Sequence, residues 1–361
     1  MSKQKKRIGI LTSGGDCAGL NAVIRAAVKH ASLLDWEVLG ILDGTMGLLQ
    51  EEPQYRVLSP NEMDGTILRQ GGTILGTTNK GNPFEFPMPD GSFKDRSEEV
   101  IGNLKKLGVD ALIGIGGDGS FAILNKLAKQ GGINMVGIPK TIDNDIGETE
   151  TSVGFDTAVT VATEALDRLQ PTAASHDRVM VLEVMGRDAG HIALSAGISG
   201  GADVILIPEI AYSIDKIADH INAIKNNGRN FALVVVSEAV KKPDGEKLEV
   251  AYSGGEKRYG GIGHYLGAKI SEASGFETRV TTLGHVQRGG SPTYNDRLIA
   301  STFGVKAVDM INQKKFGRMV AWQNRQVVDV AIEDAIAAYQ AVDLDSTLVH
   351  TARALGISLG D

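Results

Sequence analysis

The sequence predicts an α/β protein made of two domains, each built on a doubly wound, Rossmann-like parallel sheet. Three observations lead to this fold class. Short, almost continuous apolar runs are typical of strands that are buried on both faces, as in parallel sheets. Segments with apolar residues at three- and four-residue steps lie between these runs and predict helices, so strand alternates with helix. Glycine-rich polar clusters follow the strands, where open α/β sheets bind their ligands.

Seven segments are predicted to be buried strands, because each is an apolar run that ends at a polar segment. In chain order they are Arg7–Leu11, Asp110–Ile115, Met135–Ile138, Arg178–Val184, Asp203–Ile207, Phe231–Val236 and Thr278–Leu283. The segments with helical periodicity are Leu20–Leu34, Phe121–Ala128 and Thr157–Leu169. Lys241–Gly261 is charged and glycine-rich, and it predicts a long loop or a hairpin insertion.

Length and composition exclude several classes of protein. The 361 residues correspond to about two domains. A formal net charge of −7 argues against a protein that binds the phosphate backbone of nucleic acids. The single cysteine, Cys17, excludes an internal disulfide, and no apolar run approaches the roughly 18 residues of a membrane span. The apolar run after the basic start is too short for a secretory signal. We therefore expect a cytoplasmic protein with no nucleic-acid or membrane partner.

Two glycine-rich segments are candidate phosphate-binding loops. Gly14-Gly15-Asp16 could turn backbone N–H groups and a helix N-terminus toward an anion, but by itself it favours a tight turn with Asp16 as the helix cap. Gly116–Ser120 is the stronger candidate, because its three glycines surround Asp118, which could hold a hydrated Mg²⁺ between phosphates. The alternative there is a turn capped by Ser120.

A pair of carboxylates follows the third predicted strand. Asp143 and Asp145 are two residues apart, and alternate residues of an extended segment point to the same side, so both could share one pocket. One could accept a proton from a hydroxyl group while its neighbour orients a metal-bound water. The alternative is a hydrogen-bonded Asx turn without chemistry. Lys140, just before them, could pair with a carboxylate or neutralise a phosphate.

Basic residues are also placed after strand-like runs. They are Arg178, Arg187, Arg279, His285 and Arg288. For any single arginine a surface salt bridge is the better interpretation, whereas five basic residues at successive strand ends favour a site that surrounds a sugar phosphate. Glu238 follows another strand and could accept hydrogen bonds from sugar hydroxyls.

Together these motifs resemble the 6-phosphofructokinase family, in the same order and from about residue 7 to the 330s. The resemblance depends on GGD at 14–16, GGDGS at 116–120, PKTIDND at 139–145, SHDR at 175–178, MGR at 185–187, ETR at 277–279 and GHVQRGGSP at 284–292. PKTIDND and GHVQRGGSP are specific, whereas NAD kinases and diacylglycerol kinases look similar at GGDGS. The family implies transfer of the γ-phosphoryl group of ATP to the 1-hydroxyl of fructose 6-phosphate in glycolysis, by Mg²⁺-dependent, allosteric enzymes that are usually homotetramers.

The resemblance also implies a role for each matching residue. Asp143 would be the general base, Thr141 and Lys140 would act at the transferring phosphoryl group, and Asp118 would hold Mg²⁺. The nucleotide phosphates would be held by Gly15, Asn79, Lys80, Gly117, Asp118, Gly119 and Ser120. Fructose 6-phosphate would contact Thr141, Ile142, Asp143, Met185, Gly186, Arg187, Glu238, His285 and Arg288. Arg178 and Arg279 would reach into the sugar-phosphate site of a neighbouring subunit.

The family implies two α/β domains with the active site in the cleft between them. Residues 1–154 plus 287–337 would form the domain that binds the phosphoryl donor. Residues 155–286 plus 338–361 would form the domain that binds fructose 6-phosphate. The chain would cross between the two domains more than once.

The sequence departs from the family pattern at several positions. Lys140 is typical of pyrophosphate-dependent relatives, but those relatives usually have an aspartate at the position of Gly119, which would obstruct ATP. Asn79 replaces an arginine that bridges phosphates in bacterial members, and Lys80 or Lys140 could supply that charge. The basic residues of the family's effector site are only partly present, so no effector is predicted. We expect ATP to be the donor.

Three other functions are weighed against this interpretation. The first is the same reaction with pyrophosphate as the donor, which Gly119 argues against. The second is a lipid or NAD kinase that shares only the glycine-rich turn, which the sugar-phosphate motifs argue against. The third is a non-catalytic sugar-phosphate sensor of the same fold. Such a sensor is expected to lack a base or a metal ligand, whereas Asp118, Asp143 and Asp145 are all present.

Overall fold

The computed structural model describes residues 5–251 and 257–361. The strands are β1 (Arg7–Thr12), β2 (Glu37–Ile41), β3 (Tyr55–Val57), β4 (Phe86–Pro87), β5 (Phe93–Lys94), β6 (Ala111–Gly116), β7 (Met135–Pro139), β8 (Val179–Val184), β9 (Val204–Leu206), β10 (Ala232–Ser237), β11 (Glu249–Ala251), β12 (Lys257–Tyr259), β13 (Thr278–Thr282), β14 (Arg318–Gln323) and β15 (Gln326–Ala331). The helices are α1 (Leu20–Leu33), α2 (Ser97–Lys106), α3 (Asp118–Gly131), α4 (Phe155–Ser175), α5 (His191–Ser199), α6 (Ile214–Asn226), α7 (Ile262–Ser274), α8 (Tyr294–Asn312), α9 (Ile332–Ala337) and α10 (Thr347–Ala354).

The chain divides into two compact units. Unit 1 comprises the described residues of Met1–Ile142, Ile146–Asp156 and Arg288–Tyr339, and unit 2 comprises Asp143–Asp145, Thr157–Gln287 and Gln340–Asp361. The boundaries predicted from the sequence lie at 154/155, 286/287 and 337/338. The sequence prediction did not separate Asp143–Asp145 from their neighbours, whereas the structure assigns these three residues to unit 2 and both flanking segments to unit 1.

Unit 1 is built on a seven-stranded sheet in the order β15-β14-β7-β6-β1-β2-β3. β1 pairs in parallel with β2 on one side and with β6 on the other. The chain therefore changes direction across the sheet between β1 and β6, at the kind of switch point where open α/β sheets bind ligands. Leu11, Phe121 and Leu124 belong to the buried core against this sheet. The fold thus brings the carboxyl ends of β1 and β6 side by side.

Unit 2 is built on a four-stranded sheet in the order β13-β8-β10-β9, in which every pairing is parallel. β8 lies between β13 and β10, so the segments that follow these strands share one edge of the sheet. Val181, Val234 and Leu266 belong to its buried core. The loop after β8 is therefore next to the loop after β10.

The α/β fold class is confirmed, and each predicted strand and helix is found with somewhat different bounds. Two expectations were wrong. The sheet of unit 1 is mixed rather than parallel, because β3 runs antiparallel to β2 and β15 antiparallel to β14. The strand predicted at Thr278–Leu283 is not buried on both faces, because β13 is an edge strand with largely exposed residues.

The predicted insertion contains a pair of antiparallel strands, β11 and β12. Residues 252–256 of this segment lie outside the described residues, as do Met1–Gln4 of the basic start. Within the described parts of the chain, no helix combines the length and the apolar character that crossing a membrane requires.

Candidate active site

The loops after β1 and β6 form a group that we call the glycine cluster: Gly14, Gly15, Gly117–Ser120, Lys140 and Arg288. The backbone N–H of Ser13 donates to the carbonyl of Ile115 at 2.9 Å, which joins the two strand ends. Gly14 has a φ of 84°, which L side chains rarely adopt. A Cβ atom on Gly14 would lie 3.1 Å from Ser120 Oγ and 3.3 Å from Lys140 Nζ. The absence of a side chain at Gly14 therefore keeps these polar groups close to the loop.

Two cations flank the glycine pair. Lys140 is only 4% exposed, and its ammonium donates to the carbonyl of Gly15. Arg288 donates from Nη1 to the carbonyl of Asp16 at 3.1 Å. A Cβ atom on Gly15 would lie 2.8 Å from Arg288 Nη1, so a side chain there would displace the guanidinium. The backbone of this loop is thus placed between two positive charges, as an anion-binding loop requires.

Helix α3 begins at Asp118, so Asp118, Gly119 and Ser120 form its first turn rather than part of a loop. The helix N-cap is Gly117, not Ser120. The first N–H groups of a helix have no acceptor within the helix, and the helix dipole makes this end positive, which favours bound anions. A Cβ atom on Gly119 would meet nothing within 4 Å, so the space beside this turn is open.

The loop after β1 does not lead directly into a helix. Helix α1 begins at Leu20 with Gly19 as its N-cap, so both the helix N-terminus and the Asp16 cap considered for this loop were wrong. The loop is instead held by its neighbour: Gly14 N–H donates to the carbonyl of Thr78 at 2.9 Å, and Thr77 Oγ1 donates to the carbonyl of Gly14 at 2.7 Å. These bonds bring the exposed residues Asn79 and Lys80 next to the glycine cluster.

Cys17 follows the same loop and is fully buried. Its thiol donates to the carbonyl of Val153 at 3.3 Å. Burial raises the pKa of Cys17 to about 12, although the nearby Lys140 ammonium acts in the opposite direction. The thiol is therefore part of the packing beneath the loop.

The segment Thr141–Asp145 differs from the extended form that the sequence suggested. Asn144 has a φ of 55°, so the backbone between Asp143 and Asp145 is not extended, and the alternation of an extended segment gives no support for a shared pocket. The side chain of Ile142 is fully buried, so only its backbone is available to a ligand. Thr141 stays partly exposed, and its carbonyl accepts from Ser152 Oγ at 2.7 Å.

In unit 2, Asp143 and the loop Met185–Arg187 come together. Asp143 is 2% exposed, and its Oδ2 lies 3.7 Å from Arg187 Nε. The N–H groups of Gly186 and Arg187 donate to Glu238 Oε1 at 3.3 and 3.1 Å. Burial raises the pKa of Glu238 to about 7, and the nearby Asp143 carboxylate also raises it, while the two backbone N–H groups lower it. Glu238 can therefore be either protonated or ionised near neutral pH.

Two buried side chains that the sequence analysis did not select also shape unit 2. Gln287 is 1% exposed, and its Oε1 accepts from Met185 N–H at 2.7 Å. Glu183, on β8, accepts from Gly261 N–H at 3.1 Å and from Gly263 N–H at 2.7 Å, at the start of α7. Gln287 lies within the motif GHVQRGGSP, which could have indicated its role. Nothing in the sequence indicated a role for Glu183.

Arg178 and Arg279 were expected to follow strands, and this expectation was wrong. Arg178 precedes β8, and Arg279 is the second residue of β13. Both contact Glu277, which Arg178 binds through two hydrogen bonds of 3.0 and 3.2 Å. They lie at the amino-terminal edge of the sheet, whereas Arg187 follows the carboxyl end of β8, a strand that is about 20 Å long. The structure therefore separates this pair from Asp143 and Arg187.

His285 and Arg288 lie in the 3₁₀ helix Gly284–Arg288, and the division into units falls between Gln287 and Arg288. His285 is exposed and belongs to unit 2. Arg288 belongs to unit 1 and contacts the loop at Gly15. Among the described residues there is no group of three or more His, Cys, Asp or Glu side chains that could hold a metal ion.

Fold and site define an α/β protein with a glycine-rich loop flanked by two cations on one unit and a carboxylate–arginine pair on the other. A family model described as phosphofructokinase matches residues 7–311. ATP-dependent 6-phosphofructokinase 1 from Nostoc sp. is 63% identical over 361 residues, 100% of both chains, and its namesake from Synechocystis sp. is 61% identical over 357 residues, 99% of each. The chain belongs to the phosphofructokinase family.

A solved structure supports the same assignment. Phosphofructokinase from Pichia pastoris in the T-state is similar with a TM-score of 0.82 and 29% sequence identity. The match covers 93% of this chain and 36% of that chain. This chain therefore corresponds to about a third of the yeast protein.

Proposed function

We propose that this chain transfers the γ-phosphoryl group of ATP to the 1-hydroxyl of fructose 6-phosphate, the activity of an ATP-dependent 6-phosphofructokinase. The observation that carries the proposal is the pair of cations, Lys140 and Arg288, that flanks Gly14 and Gly15 beside the first turn of α3. Such a loop suits the phosphates of a nucleotide. The names of the Nostoc and Synechocystis relatives support ATP as the donor.

Each cluster has its own role in this proposal. The glycine cluster, with Asn79 and Lys80, binds the donor phosphates, while Lys140 and Thr141 neutralise and orient the transferring group. Asp143 accepts the proton of the 1-hydroxyl of fructose 6-phosphate. The hydroxyl oxygen bonds to the γ-phosphorus while the bond between the γ-phosphorus and the β–γ bridging oxygen breaks, and ADP leaves. Met185–Arg187, Glu238 and His285 hold the sugar phosphate, whereas Arg288, which the family resemblance had given to the sugar phosphate, is assigned to the donor because it contacts the loop at Gly15. Positioning and charge neutralisation are the main sources of rate in phosphoryl transfer.

Asp118 is the residue that would hold Mg²⁺. A single carboxylate in the first turn of α3 fits an ion that arrives with a nucleotide, because Mg²⁺ is usually bound by one or two carboxylates together with phosphates and waters. When bound, the ion neutralises charge on the phosphate oxygens. The open space beside Gly119 fits a donor larger than pyrophosphate.

The donor is tested by assaying the purified protein with fructose 6-phosphate and Mg²⁺, comparing ATP with pyrophosphate in parallel. We expect turnover with ATP and little with pyrophosphate. A matched variant, Gly119→Asp, places a carboxylate in the open space and is expected to reduce turnover with ATP. Turnover with pyrophosphate alone would overturn the choice of donor, and no turnover with either would overturn the proposed function.

We also propose that the protein acts as a homo-oligomer, with four copies as the expected number, in which Arg178 and Arg279 complete the sugar-phosphate site of a neighbouring copy. Their place at the edge of the sheet away from Arg187 supports this. The test is co-expression of an Asp143→Asn chain with an Arg279→Met chain. Mixed oligomers are expected to recover activity that neither variant has alone, and a lack of recovery in purified mixed oligomers would contradict the proposal.

A further inference from the structure

The loop Met185–Arg187 has an unfavourable backbone conformation that its surroundings must maintain. Arg187 has a φ of 48°, a left-handed conformation that non-glycine residues rarely adopt. Ala189 N–H donates to the carbonyl of Gly186 at 3.1 Å, which closes a tight turn over Gly186–Ala189. Strained turns of this kind persist when neighbouring contacts fix them from several sides. On one side these contacts are the hydrogen bonds to Glu238 and Gln287 described above.

On the other side the contact comes from residues 241–251 and 257–261, which include the paired strands β11 and β12 and which we call the hairpin. Asp188, the third residue of the turn, accepts from the ammonium of Lys247. Tyr259 donates from its hydroxyl to Asp188 Oδ1 at 3.1 Å, and Lys247 donates to the Tyr259 hydroxyl at 2.9 Å. Lys247 Nζ also lies 4.7 Å from the centroid of the Tyr259 ring. Asp188, Lys247 and Tyr259 thus form a closed triad. It joins the turn to the hairpin on both of its sides, through Lys247 just before β11 and Tyr259 at the end of β12.

The hairpin itself is fixed to the core of unit 2, so it can transmit that support. Leu248 packs against the core cluster of the sheet. Gly260 N–H donates to the carbonyl of Leu248 at 3.2 Å, and Gly261 N–H donates to the buried Glu183. The chain enters the hairpin through Val240, which is 2% exposed. An ion pair between mobile surface groups contributes little, whereas this triad joins two anchored segments.

We propose that this hairpin braces the substrate-binding loop, with Asp188, Lys247 and Tyr259 as positioning residues for the acceptor substrate. The triad holds the turn that orients the Arg187 guanidinium and the Gly186 backbone. The proposal rests on the proposed function only for the identity of the substrate, fructose 6-phosphate. The bracing of the loop is a property of the structure that can be measured without turnover.

The kinetic test compares Lys247→Met with Lys242→Met. Lys242 lies in the same hairpin but pairs with Glu246 and Asp244, so its variant removes the same charge without reaching the turn. We expect Lys247→Met to raise the KM for fructose 6-phosphate about tenfold, because a displacement of about 1 Å in a positioning group can lower reaction rates about 10²-fold. The KM for ATP is expected to stay unchanged, and Lys242→Met is expected to behave like the wild type. Equal shifts in both KM values would contradict the proposal.

Two further variants separate bracing from general loss of structure. Lys247→Arg keeps the charge and is expected to restore most of the affinity. In combination with Asp188→Asn, Lys247→Met is expected to add little to the effect of either change alone, because both remove the same contact. If the effects of Lys247→Met and Asp188→Asn on the KM for fructose 6-phosphate were additive, the two residues would not act as one unit.

Amide hydrogen exchange tests the brace independently of activity. A peptide covering Gly186–Ala189 is expected to exchange faster in Lys247→Met than in Lys242→Met, because the turn opens more often. If the wild type failed to phosphorylate fructose 6-phosphate, the proposed function would be wrong, while the exchange comparison would still decide on the brace. Identical exchange in the two variants would overturn the brace even in an active enzyme.

Discussion

In the proposed function, the two clusters recognise their ligands with different parts of the chain. In unit 1 the glycine cluster offers backbone N–H groups, the first turn of a helix and two cations, and the glycines leave space for an anion. In unit 2 the loop Met185–Arg187 uses its own backbone N–H groups to hold Glu238, and in our proposal it presents side chains to the substrate. A phosphate can be bound by any well-placed N–H group, whereas a sugar hydroxyl needs an acceptor such as a carboxylate in a defined position. The comparison implies that unit 1 tolerates changes that preserve its backbone, and that unit 2 depends on individual side chains.

The largest expected effect tests the side-chain chemistry of unit 2. Asp143→Asn keeps the size of the side chain but removes the group that accepts the proton, so we expect kcat to fall by about 10²–10⁴. The exposed Arg187 remains solvated, and the melting temperature is expected to change little. Steady-state kinetics at saturating substrates measures the effect. A kcat within tenfold of the wild type would mean that Asp143 is not the base.

A second carboxylate in unit 2, that of Glu183, is buried and accepts hydrogen bonds from the backbone N–H groups of Gly261 and Gly263 at the start of α7. Glu183→Gln places an amide N–H₂ group where one of the two backbone N–H donors points, and we expect the free energy of unfolding to fall by about 2–3 kcal/mol. The KM for ATP is expected to stay the same. Urea denaturation measures the loss. Unchanged stability would mean that this buried carboxylate is dispensable for the start of α7.

Glu238 differs from Glu183 in its raised pKa, which makes its effect depend on pH. Its pKa is about 7 in the folded protein and about 4.5 when unfolded, so the folded state binds more protons between these values. This contribution to stability is complete below about pH 4.5 and is lost as the pH rises through 7. Glu238→Gln does not titrate, so relative to the wild type it is expected to be more stable at pH 8 than at pH 5, by roughly 2 kcal/mol. Thermal denaturation at the two pH values checks this, and a pH-independent difference would contradict it.

The smallest expected effect tests the backbone chemistry of unit 1. Gly15→Ala displaces the Arg288 guanidinium, and we expect the KM for ATP to rise about tenfold while the KM for fructose 6-phosphate changes less. The matched control is Gly102→Ala in α2, where a Cβ atom meets nothing within 4 Å. That change is expected to stabilise the protein by about 0.5–1 kcal/mol and to leave kinetics unaltered. Equal KM values for Gly15→Ala and the wild type would mean that Arg288 does not contribute to donor binding.

The sequence was informative about the fold where burial constrains composition. β1, β6 and β8 are buried along most of their length, so their apolar runs are visible in the sequence. The exposed strand β3 carries no such run, and the antiparallel edge of unit 1 was therefore missed. β13 was predicted to be buried because Thr278–Leu283 was counted as an apolar run, although threonine and arginine make up most of it.

The sequence was less informative about the site where geometry depends on local backbone angles or distant contacts. The left-handed Asn144 breaks the extended backbone that the spacing of Asp143 and Asp145 had suggested. Arg178 and Arg279 were expected after strands, although the predicted strands Arg178–Val184 and Thr278–Leu283 begin at or next to them. The register of β8 with β13, which the sequence does not give, puts both at the same edge of the sheet. Glu277 contacts Arg178, and Glu183 accepts from Gly261 and Gly263, through pairings of residues far apart in the chain. The motifs therefore predicted which residues take part, and the structure was needed to show where they lie.

The burial of Cys17 has a consequence for how the protein responds to oxidants. Burial raises the pKa of the Cys17 thiol to about 12, so the thiol stays protonated at neutral pH, and the thiolate is the form that attacks peroxides and alkylating reagents. The sulfur lies one residue beyond the Gly14–Asp16 loop and has no exposure to solvent. Catalysis is therefore shielded from thiol redox chemistry, and it should continue under oxidising stress that inactivates enzymes with an accessible cysteine.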